Sequence, residues 1–254
     1  MNTTPNTLVI LNEVDSTNSY LMNMLSQNRD LPQLFTIMAR SQFSGRGQRG
    51  NSWITRPNSE LTCSILLRDG SLSPSEQYTV SELAAYGLLK TIARYLPEEN
   101  KHNLSIKWPN DIYYGDKKIA GILIEHSITG ENIDYSIIGI GLNLNETDFP
   151  SDLPNPISLK QITGEDYEPE EVMLRLRKRF HFMLEEFLIG NYAEIHRNYM
   201  LHLYRREGLH PFSDRDGSFL AYIKNVLPTG QIVLEREDGT ISTYAFKEVQ
   251  FDVH

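Results

Sequence analysis

The sequence predicts a mixed-sheet α/β body followed by a small all-β tail, and three observations support that prediction. Apolar segments of strand length alternate with segments of helical periodicity through most of the chain. From about Phe212 the helical periodicity stops, and short strands separated by turn residues follow. No internal repeat or low-complexity tract breaks this organisation. We therefore predict two units, an α/β unit at residues 1–205 and a small β-barrel at residues 206–254.

The predicted elements of the first half depend on apolar runs and on capping residues. In chain order, strands are predicted at residues 7–14, 34–40 and 61–68, a helix at residues 15–27, and a longer helix at residues 73–97. Asp15, Ser16 and Thr17 are residue types that cap helices. Pro74 suits the first turn of the longer helix, and Pro97 ends it.

The second half continues the alternation of strands and helices and then changes to short strands alone. Strands are predicted at residues 104–114, 117–128 and 134–145, helices at residues 169–189 and 192–203, and tail strands at residues 217–226, 230–238 and 239–246. Gly115-Asp116 lies between the first two of these strands and is a hairpin turn signal. A hairpin is therefore predicted in the middle of the chain.

Composition excludes several classes of protein. The chain has 254 residues, of which 40% are hydrophobic and 22% charged, as is usual for a protein with a buried core. Its net charge of −9 argues against a general nucleic-acid coat. Cys63 is the single cysteine, so no internal disulfide is expected. The start has no secretion signal, and no apolar run approaches the ~20 residues of a membrane span, so we expect a cytoplasmic protein.

A glycine-rich loop, SGRGQRGNSW, follows the second predicted strand. It contains Gly45, Arg46, Gly47, Arg49 and Gly50. The glycine spacing is that of a dinucleotide-binding loop, which requires a helix to open from the last glycine. Here the residues after Gly50 are helix-capping, β-branched and helix-breaking types, so no helix is expected to start there and that interpretation fails. The two arginines instead predict a mobile cationic loop that binds an anion.

The stretch KWPNDIYYGDKKIAG carries a second group of candidate residues. Asn110 and Asp111 form a polar turn whose side chains are free to bind a ligand or a metal. Lys118 stands at a strand mouth just before Gly121, where the missing side chain lets a ligand approach the backbone. Taken alone, this stretch also fits a hairpin with a solvated lysine pair.

Four motifs in order, EVDSTN, ARSQFSGRGQRGNSW, KWPNDIYYGDKKIAGILIE and GIGLNLN, resemble those of the biotin protein ligases. The resemblance implies a mixed-sheet catalytic domain and an SH3-like β-barrel at the C-terminus. It also implies two reactions. Biotin and ATP, with Mg²⁺, form biotinyl-5′-AMP and pyrophosphate. A lysine of a biotin carboxyl carrier protein, part of a biotin-dependent carboxylase, then takes the biotin.

The resemblance also implies roles for individual residues. Biotin contacts are expected from Ser16, Thr17, Asn18, Gln42, Arg46, Gly47, Gln48, Lys118 and Gly121. Adenylate contacts are expected from Arg46, Gln48, Arg49, Trp53, Asn110, Lys118 and Asn143. Lys118 and Arg46 are the expected catalytic cations, because a carboxylate and a phosphate repel each other unless cations lie between them. Asp111 either orients the metal or helps to take a proton from the incoming lysine, and the metal ligands are left open.

Two departures from the family pattern carry expectations of their own. Many bacterial ligases have arginine where this chain has Gln48 and Asn51. The loss of these two cations predicts that the loop binds its anionic ligand less tightly. The first motif begins near Glu13, which leaves no room for a helix-turn-helix domain of roughly 50 residues. We therefore expect no DNA partner, whereas a homodimer is compatible with the resemblance.

Two other functions share parts of this sequence pattern. A lipoate–protein ligase shares the architecture and the adenylate strategy, but the intact GRG loop, KWPND and the barrel tail argue against it. A non-catalytic RNA-binding module using Arg46 and Arg49 belongs to a different class. The acidic net charge argues against that module.

Overall fold

Two β-sheets organise the molecule, for which a computed structural model describes residues 7–48, 53, 55–68 and 72–252. The larger sheet has seven strands in the order β1-β2-β3-β7-β6-β5-β4. Its strands are β1 (Leu8–Leu11), β2 (Thr36–Ala39), β3 (Glu60–Leu67), β4 (Leu104–Lys107), β5 (Asp111–Tyr114), β6 (Lys117–Thr129) and β7 (Asn132–Asn143). The pair β1–β2 is parallel and the other neighbours are antiparallel, so the predicted mixed sheet is confirmed.

Five α-helices are present among the described residues. They are α1 (Thr17–Gln27), α2 (Tyr78–Ile92), α3 (Leu159–Thr163), α4 (Pro169–Leu188) and α5 (Tyr192–Leu201). The longer helix predicted at residues 73–97 has α2 at its centre and short 3-10 turns at both ends. The short α3 was not predicted, although Ser158 and Gln161 form a capping box at its start.

Helices cover both faces of the larger sheet, which makes β3 buried along its whole length. Because successive side chains of a strand point to opposite faces, Cys63 and Ile65 join the core under α2 and α4. Leu66 joins a second core under α1, together with Leu21 and Leu25. The sheet therefore forms a rigid central layer.

The tail forms a five-stranded antiparallel sheet in the order β11-β10-β9-β8-β12. Its strands are β8 (His210–Asp214), β9 (Gly217–Val226), β10 (Ile232–Arg236), β11 (Ile241–Tyr244) and β12 (Gln250–Phe251). This sheet is consistent with the predicted SH3-like unit, but β8 and β12 were not predicted. The proposed boundary at residues 205/206 lies in the segment between α5 and β8 and stays a prediction.

The tail packs directly on the body. Phe212 of the tail belongs to the same hydrophobic core as Tyr199 of α5. The indole Nε1 of Trp108 donates a 2.9 Å hydrogen bond to the carbonyl of Gly230, which lies in the turn between β9 and β10. These contacts hold the tail beside the KWPND segment.

None of the helices within the described ranges combines the length and the apolar character that crossing a bilayer requires.

Candidate functional site

One row of cross-strand neighbours forms the floor of the main cavity. Asp111 of β5 pairs with Gly121 of β6, Gly121 pairs with Gly141 of β7, and Gly141 pairs with Thr62 of β3. Paired residues on adjacent strands point to the same face of the sheet. The row therefore brings two separate motifs, KWPNDIYYGDKKIAGILIE and GIGLNLN, onto one surface together with β3.

Two glycines on β7 are required by close approach of neighbouring side chains. A Cβ atom on Gly141 would overlap the indole ring of Trp53, and one on Gly139 would collide with the amide of Asn18. The side chain of Ile140, the residue between them, points to the opposite face and packs under the helices. The alternation of glycine and isoleucine in GIGLN thus buries one face and lets the side chains of Trp53 and Asn18 pack directly on the backbone of the other face.

Above this floor lies a cavity of about 830 Å³, which we call the first cavity. Most of the predicted site residues line it, namely Ser16, Thr17, Asn18, Gln42, Arg46, Gly47, Gln48, Trp53, Asn110, Asp111, Lys118 and Gly121. Arg49 lies outside the described residues, and so do Gly50 and Asn51. The sheet order thus brings the described members of four separate motifs around one cavity, with the exception of Asn143.

The end of the first cavity near α1 is a hydrogen-bonded polar cluster. Gln42 Oε1 accepts hydrogen bonds from the backbone N–H and the hydroxyl of Thr17, at 2.8 and 3.1 Å. Ser64 Oγ lies 2.7 Å from Thr17 Oγ1 and 2.5 Å from Asn18 Oδ1. Ser16 is the N-cap residue of α1, as its type predicts, but its side chain makes no capping hydrogen bond. The polar side chains at this helix start therefore serve the cavity and not the cap.

In the described part of the glycine loop, Arg46 forms an ion pair with the sheet. Arg46 Nη2 lies 3.0 Å from Glu125 Oε2, and the same carboxylate oxygen accepts a 2.7 Å hydrogen bond from Asn18 Nδ2. Both ionic side chains are partly exposed, at 43% and 25%. Arg46 is thereby held beside the polar cluster, at the rim of the first cavity.

The KWPND segment orients the catalytic candidates. Asn110 Nδ2 donates a 2.5 Å hydrogen bond to the carbonyl of Ile122, whose own N–H donates to the carbonyl of Asn110. Asp111 Oδ1 and Lys118 Nζ form an ion pair at 2.7 Å. Lys118 Nζ also lies 5.7 Å from the centre of the Trp53 ring. The lysine is therefore fixed between a carboxylate and an aromatic face.

A second cavity, of about 590 Å³, adjoins the first and shares Trp53, Asp111 and Lys118 with it. Asn143 lines this second cavity and donates a 3.0 Å hydrogen bond from Nδ2 to the carbonyl of Ile157. Of the predicted adenylate residues, Arg46, Gln48 and Asn110 line the first cavity, Asn143 lines the second, and Trp53 and Lys118 line both.

Glu60 is a residue of the second cavity that sequence reasoning missed. Its carboxyl group accepts a 2.9 Å hydrogen bond at Oε2 from the indole N–H of Trp53. The residue is 5% exposed, and burial raises the pKa of the carboxyl to about 8. The Trp53 hydrogen bond lowers this pKa, whereas the nearby Glu146 carboxylate raises it further. Glu60 therefore stays protonated at neutral pH.

The tail contributes residues that no sequence motif indicated. Phe246, Lys247, Val249, Gln250 and Phe251 all line the first cavity. Lys107 of β4 lines the same region, 5.5 Å from the centre of the Phe251 ring. The first cavity is therefore enclosed by both sheets.

Within the described part of the chain, no group of three or more His, Cys, Asp or Glu side chains is arranged to hold a metal ion. A dedicated cage of protein ligands is thus not formed there.

Comparisons with known proteins agree with this geometry. The model of the biotin/lipoate A/B protein ligase family matches residues 11–143. A biotin–[acetyl-CoA-carboxylase] ligase of Paracoccus denitrificans is 33% identical over 177 residues, which is 67% of this chain and 70% of that protein. The bifunctional ligase/repressor BirA of Bacillus subtilis is 30% identical over 172 residues, 66% of this chain and 51% of that protein.

A solved structure extends the similarity to both sheets. The biotin protein ligase of Aquifex aeolicus in complex with biotin and ATP superposes with a TM-score of 0.73 at 26% identity. The match covers 98% of this chain and 100% of that chain. The similarity therefore includes the tail as well as the body.

Proposed function

We propose that this chain, a ligase that belongs to the biotin/lipoate A/B protein ligase family, activates biotin with ATP and transfers it to a protein lysine. In the first step a biotin carboxylate oxygen attacks the α-phosphorus of ATP. The bond to the β-phosphate breaks, and biotinyl-5′-AMP and pyrophosphate form. In the second step the lysine amine attacks the activated carbonyl, AMP leaves, and an amide remains.

The observation that carries this proposal is the position of Lys118, which lines both adjoining cavities. A carboxylate from one cavity and a phosphate from the other would meet at its ammonium group. A fixed cation at that point lowers the repulsion between two anions and stabilises the charge that develops on the phosphorus oxygens. The ion pair with Asp111 holds the cation there before the substrates arrive.

Biotin fits the first cavity by its chemistry. The ureido ring carries a carbonyl acceptor and two N–H donors, and the polar cluster at α1 contains hydroxyl and amide groups that match them. Ser16, Thr17, Asn18 and Gln42 are the proposed contacts for this ring. The glycine floor lets Trp53 and Asn18 lie close against the sheet, and we propose that the apolar part of biotin packs beside Trp53 with its carboxylate directed toward Lys118.

The adenylate is assigned to the second cavity. Trp53 forms a wall that both cavities share, so its indole is available to a planar base. Asn143 lies on the far side of Lys118 and is the proposed partner of the nucleotide, together with Asn110 at the KWPND turn. This arrangement holds both reactants in line, which supplies much of the rate in a reaction of two bound molecules.

We propose that the glycine loop supplies a second positive charge and closes over the bound intermediate. Arg46 is paired with Glu125, and we propose that it also faces the ligand anion from the rim of the first cavity. Gly47 and Gln48 line the same cavity and would close over the intermediate. A mixed anhydride is hydrolysed when water reaches it, so a loop that excludes water protects biotinyl-AMP.

Mg²⁺ is proposed to enter with ATP. Mg²⁺ is usually bound by one or two carboxylates together with substrate phosphates and water, so it does not require a cage of protein ligands. That mode fits the described residues, since they form no cluster of three ligands. Asp111 is the carboxylate at the junction of the cavities and would approach the metal there. Bound to phosphate, the metal would neutralise negative charge.

The acceptor is proposed to be a biotin carboxyl carrier protein. Its lysine must reach the activated carbonyl through the mouth of the first cavity, which tail residues help to line. The amine must lose its proton in order to attack, and Asp111 is the proposed carboxylate for this role, in addition to its contact with Lys118.

The proposed activity is tested by ATP–pyrophosphate exchange with the purified chain. Exchange that depends on biotin and not on lipoate, followed by biotin transfer to a carrier domain, is the expected result. Exchange that depends on lipoate alone would assign the lipoate reaction, and no exchange with either acid would overturn the adenylate mechanism.

Gly141→Ala should weaken biotin binding roughly tenfold. The added methyl group overlaps the indole of Trp53, so that ring must shift into the cavity. Overpacking of this kind costs about 1–3 kcal/mol, and 1.4 kcal/mol is a factor of ten in affinity. Titration calorimetry with biotin measures the effect. Gly87→Ala in α2 adds the same methyl group away from the cavity and should leave the affinity unchanged. An unchanged Kd in folded Gly141→Ala would contradict the proposed floor.

Gln48→Arg should slow the release of biotinyl-AMP about fivefold at low salt, because one exposed ion pair contributes roughly 1 kcal/mol and is screened by salt. The effect should appear in dissociation more than in capture. The dissociation rate of preformed labelled biotinyl-AMP is measured at low and high salt for both proteins. Equal rates at low salt would mean that position 48 does not face the phosphate.

A further inference from the structure

We propose that Glu60 selects the base of the nucleotide, donating an O–H hydrogen bond to a ring nitrogen of adenine and accepting one from the adjacent N6 amino group. This assignment rests on the proposed function, because it requires the nucleotide to occupy the second cavity.

The position of Glu60 follows from the sheet register. It is the first residue of β3 and pairs with Asn143 at the end of β7, so the two side chains lie next to each other on one face. Both line the second cavity. A base that stacks on Trp53 would therefore have a carboxyl group and a carboxamide at its edge.

Trp53 determines which oxygen of Glu60 donates. An indole N–H can only donate, so Oε2 of Glu60, 2.9 Å away, must accept. A protonated carboxyl group then carries its proton on Oε1. Among the described residues, no hydrogen bond to Oε1 is present, so this O–H is left for a ligand. The carboxyl group thus offers a donor and an acceptor in a fixed order.

Burial and the nearby Glu146 keep this carboxyl group neutral, and the cations that line the cavity are paired elsewhere. The other ionisable groups that line the cavity are Arg56, Asp111, Tyr113, Lys118 and Glu146. Arg56 is paired with Glu146 and Asp148, and Lys118 is paired with Asp111, so neither cation is committed to Glu60. Glu146 also accepts hydrogen bonds from two backbone N–H groups, those of Thr147 and Asp148. With burial, this arrangement raises the pKa of Glu60 to about 8.

The fixed order of donor and acceptor suits adenine and rejects the 6-oxo purines. Adenine presents a ring-nitrogen acceptor next to its N6 donor on both of its polar edges. Guanine and hypoxanthine carry an oxygen acceptor at position 6, which would face the acceptor Oε2 and leave two lone pairs opposed. A site built to hydrogen-bond a ligand discriminates strongly against an analogue that leaves its buried groups unpaired.

The decisive experiment compares nucleotides and pH in the biotin-dependent exchange reaction. We would measure kcat/KM with ATP, 1-deaza-ATP, 7-deaza-ATP and ITP, from pH 6.5 to 9.5, for the wild type, Glu60→Gln and Glu60→Leu. Glutamine is the matched control, because its amide keeps the acceptor for Trp53 and a donor for the base but does not ionise.

In the wild type at pH 6.5, one of the two deaza analogues and ITP should each be used at least tenfold less efficiently than ATP. The penalty for that deaza analogue should shrink as pH rises through about 8. It should stay constant with pH in Glu60→Gln and be absent at every pH in Glu60→Leu. A residue that only positioned Trp53 would alter the rates for all four nucleotides alike.

The outcome that overturns the assignment is equal use of ATP and both deaza analogues by the wild type at pH 6.5. A penalty that persists in Glu60→Leu would overturn it as well. Either result could occur in an enzyme with normal biotin-dependent exchange, so it would refute the role of Glu60 alone. Failure of the proposed function is a separate result, namely no biotin-dependent exchange with any nucleotide.

Discussion

Lys118→Ala should lower the rate of biotinyl-AMP formation about 10²-fold, which corresponds to about 3 kcal/mol of lost transition-state stabilisation. The substitution removes the ammonium group that lines both cavities and leaves the carboxylate of Asp111 without its 2.7 Å partner. A biotin carboxylate would then meet both Asp111 and the α-phosphate without a cation between them. The loss should appear in the chemical step and not only in substrate affinity.

The fold should survive this substitution. The side chain of Lys118 is 33% exposed and does not belong to the hydrophobic core. Its main-chain hydrogen bonds, to the carbonyl of Asn155 and from the N–H of Ile157, do not involve the side chain. A circular dichroism spectrum and a thermal transition like those of the wild type would verify this point.

Lys117→Ala is the matched control for Lys118→Ala. The two lysines are adjacent on β6, but Lys117 is exposed and lines neither cavity. The control therefore removes the same charge from the same strand and should leave exchange kinetics unchanged. Single-turnover formation of labelled biotinyl-AMP measures both variants. If folded Lys118→Ala matched Lys117→Ala in rate, Lys118 would have no part in the reaction.

The body of the fold could be predicted because its elements carry strong local signals. The apolar run that contains Cys63 forms β3, and the Gly115-Asp116 signal corresponds to the observed turn between β5 and β6. The missed strand β8 contains Pro211, a residue type that is unusual within strands, and the missed β12 has only two residues and pairs with β8 across most of the tail, Gln250 opposite Ser213. No local pattern encodes such a pairing, since it depends on where the chain returns in space.

The grouping of site residues was predicted from motifs, whereas their geometry comes from strand order. The consecutive strands β5, β6 and β7 lie side by side, and β3 lies next to β7 although it comes much earlier in the chain. This order puts Asp111, Gly121 and Gly141 in one row. The sequence contains the alternating glycines of β7, and their spacing is a signal that other groups approach the strand backbone closely on one face.

Two parts of the site lacked such a signal. The tail residues around Lys247 line the first cavity because the tail packs beside Trp108. The local periodicity of a sequence does not predict how one unit packs on another. Glu60 precedes an apolar run and has the sequence context of a loop residue. Its burial results from extension of β3 to meet Asn143, and only the sheet register reveals it.

Burial of Glu60 also predicts how stability depends on pH. The pKa of this carboxyl is raised from 4.5 to about 8 in the folded chain, so the folded state binds the proton more tightly than the unfolded state. The raised pKa of Glu60 therefore leaves the free energy of unfolding unchanged below pH 4.5. It lowers that free energy increasingly between pH 4.5 and 8, and by a constant amount above pH 8. Each pKa unit corresponds to about 1.4 kcal/mol.

Glu60→Gln should therefore stabilise the fold more at pH 7 than at pH 4.5. The change in the free energy of unfolding caused by the substitution should be about 3 kcal/mol larger at pH 7. Glutamine keeps the carbonyl that accepts from Trp53 Nε1 and removes the proton that the unfolded glutamate releases. Urea unfolding of the ligand-free wild type and variant at a series of pH values measures the difference. Because every other carboxyl group titrates in both proteins, subtracting the two curves isolates Glu60. A difference that is the same at pH 4.5 and pH 8 would show that Glu60 ionises normally in the folded chain, and the neutral donor that the second cavity is proposed to present would then not exist.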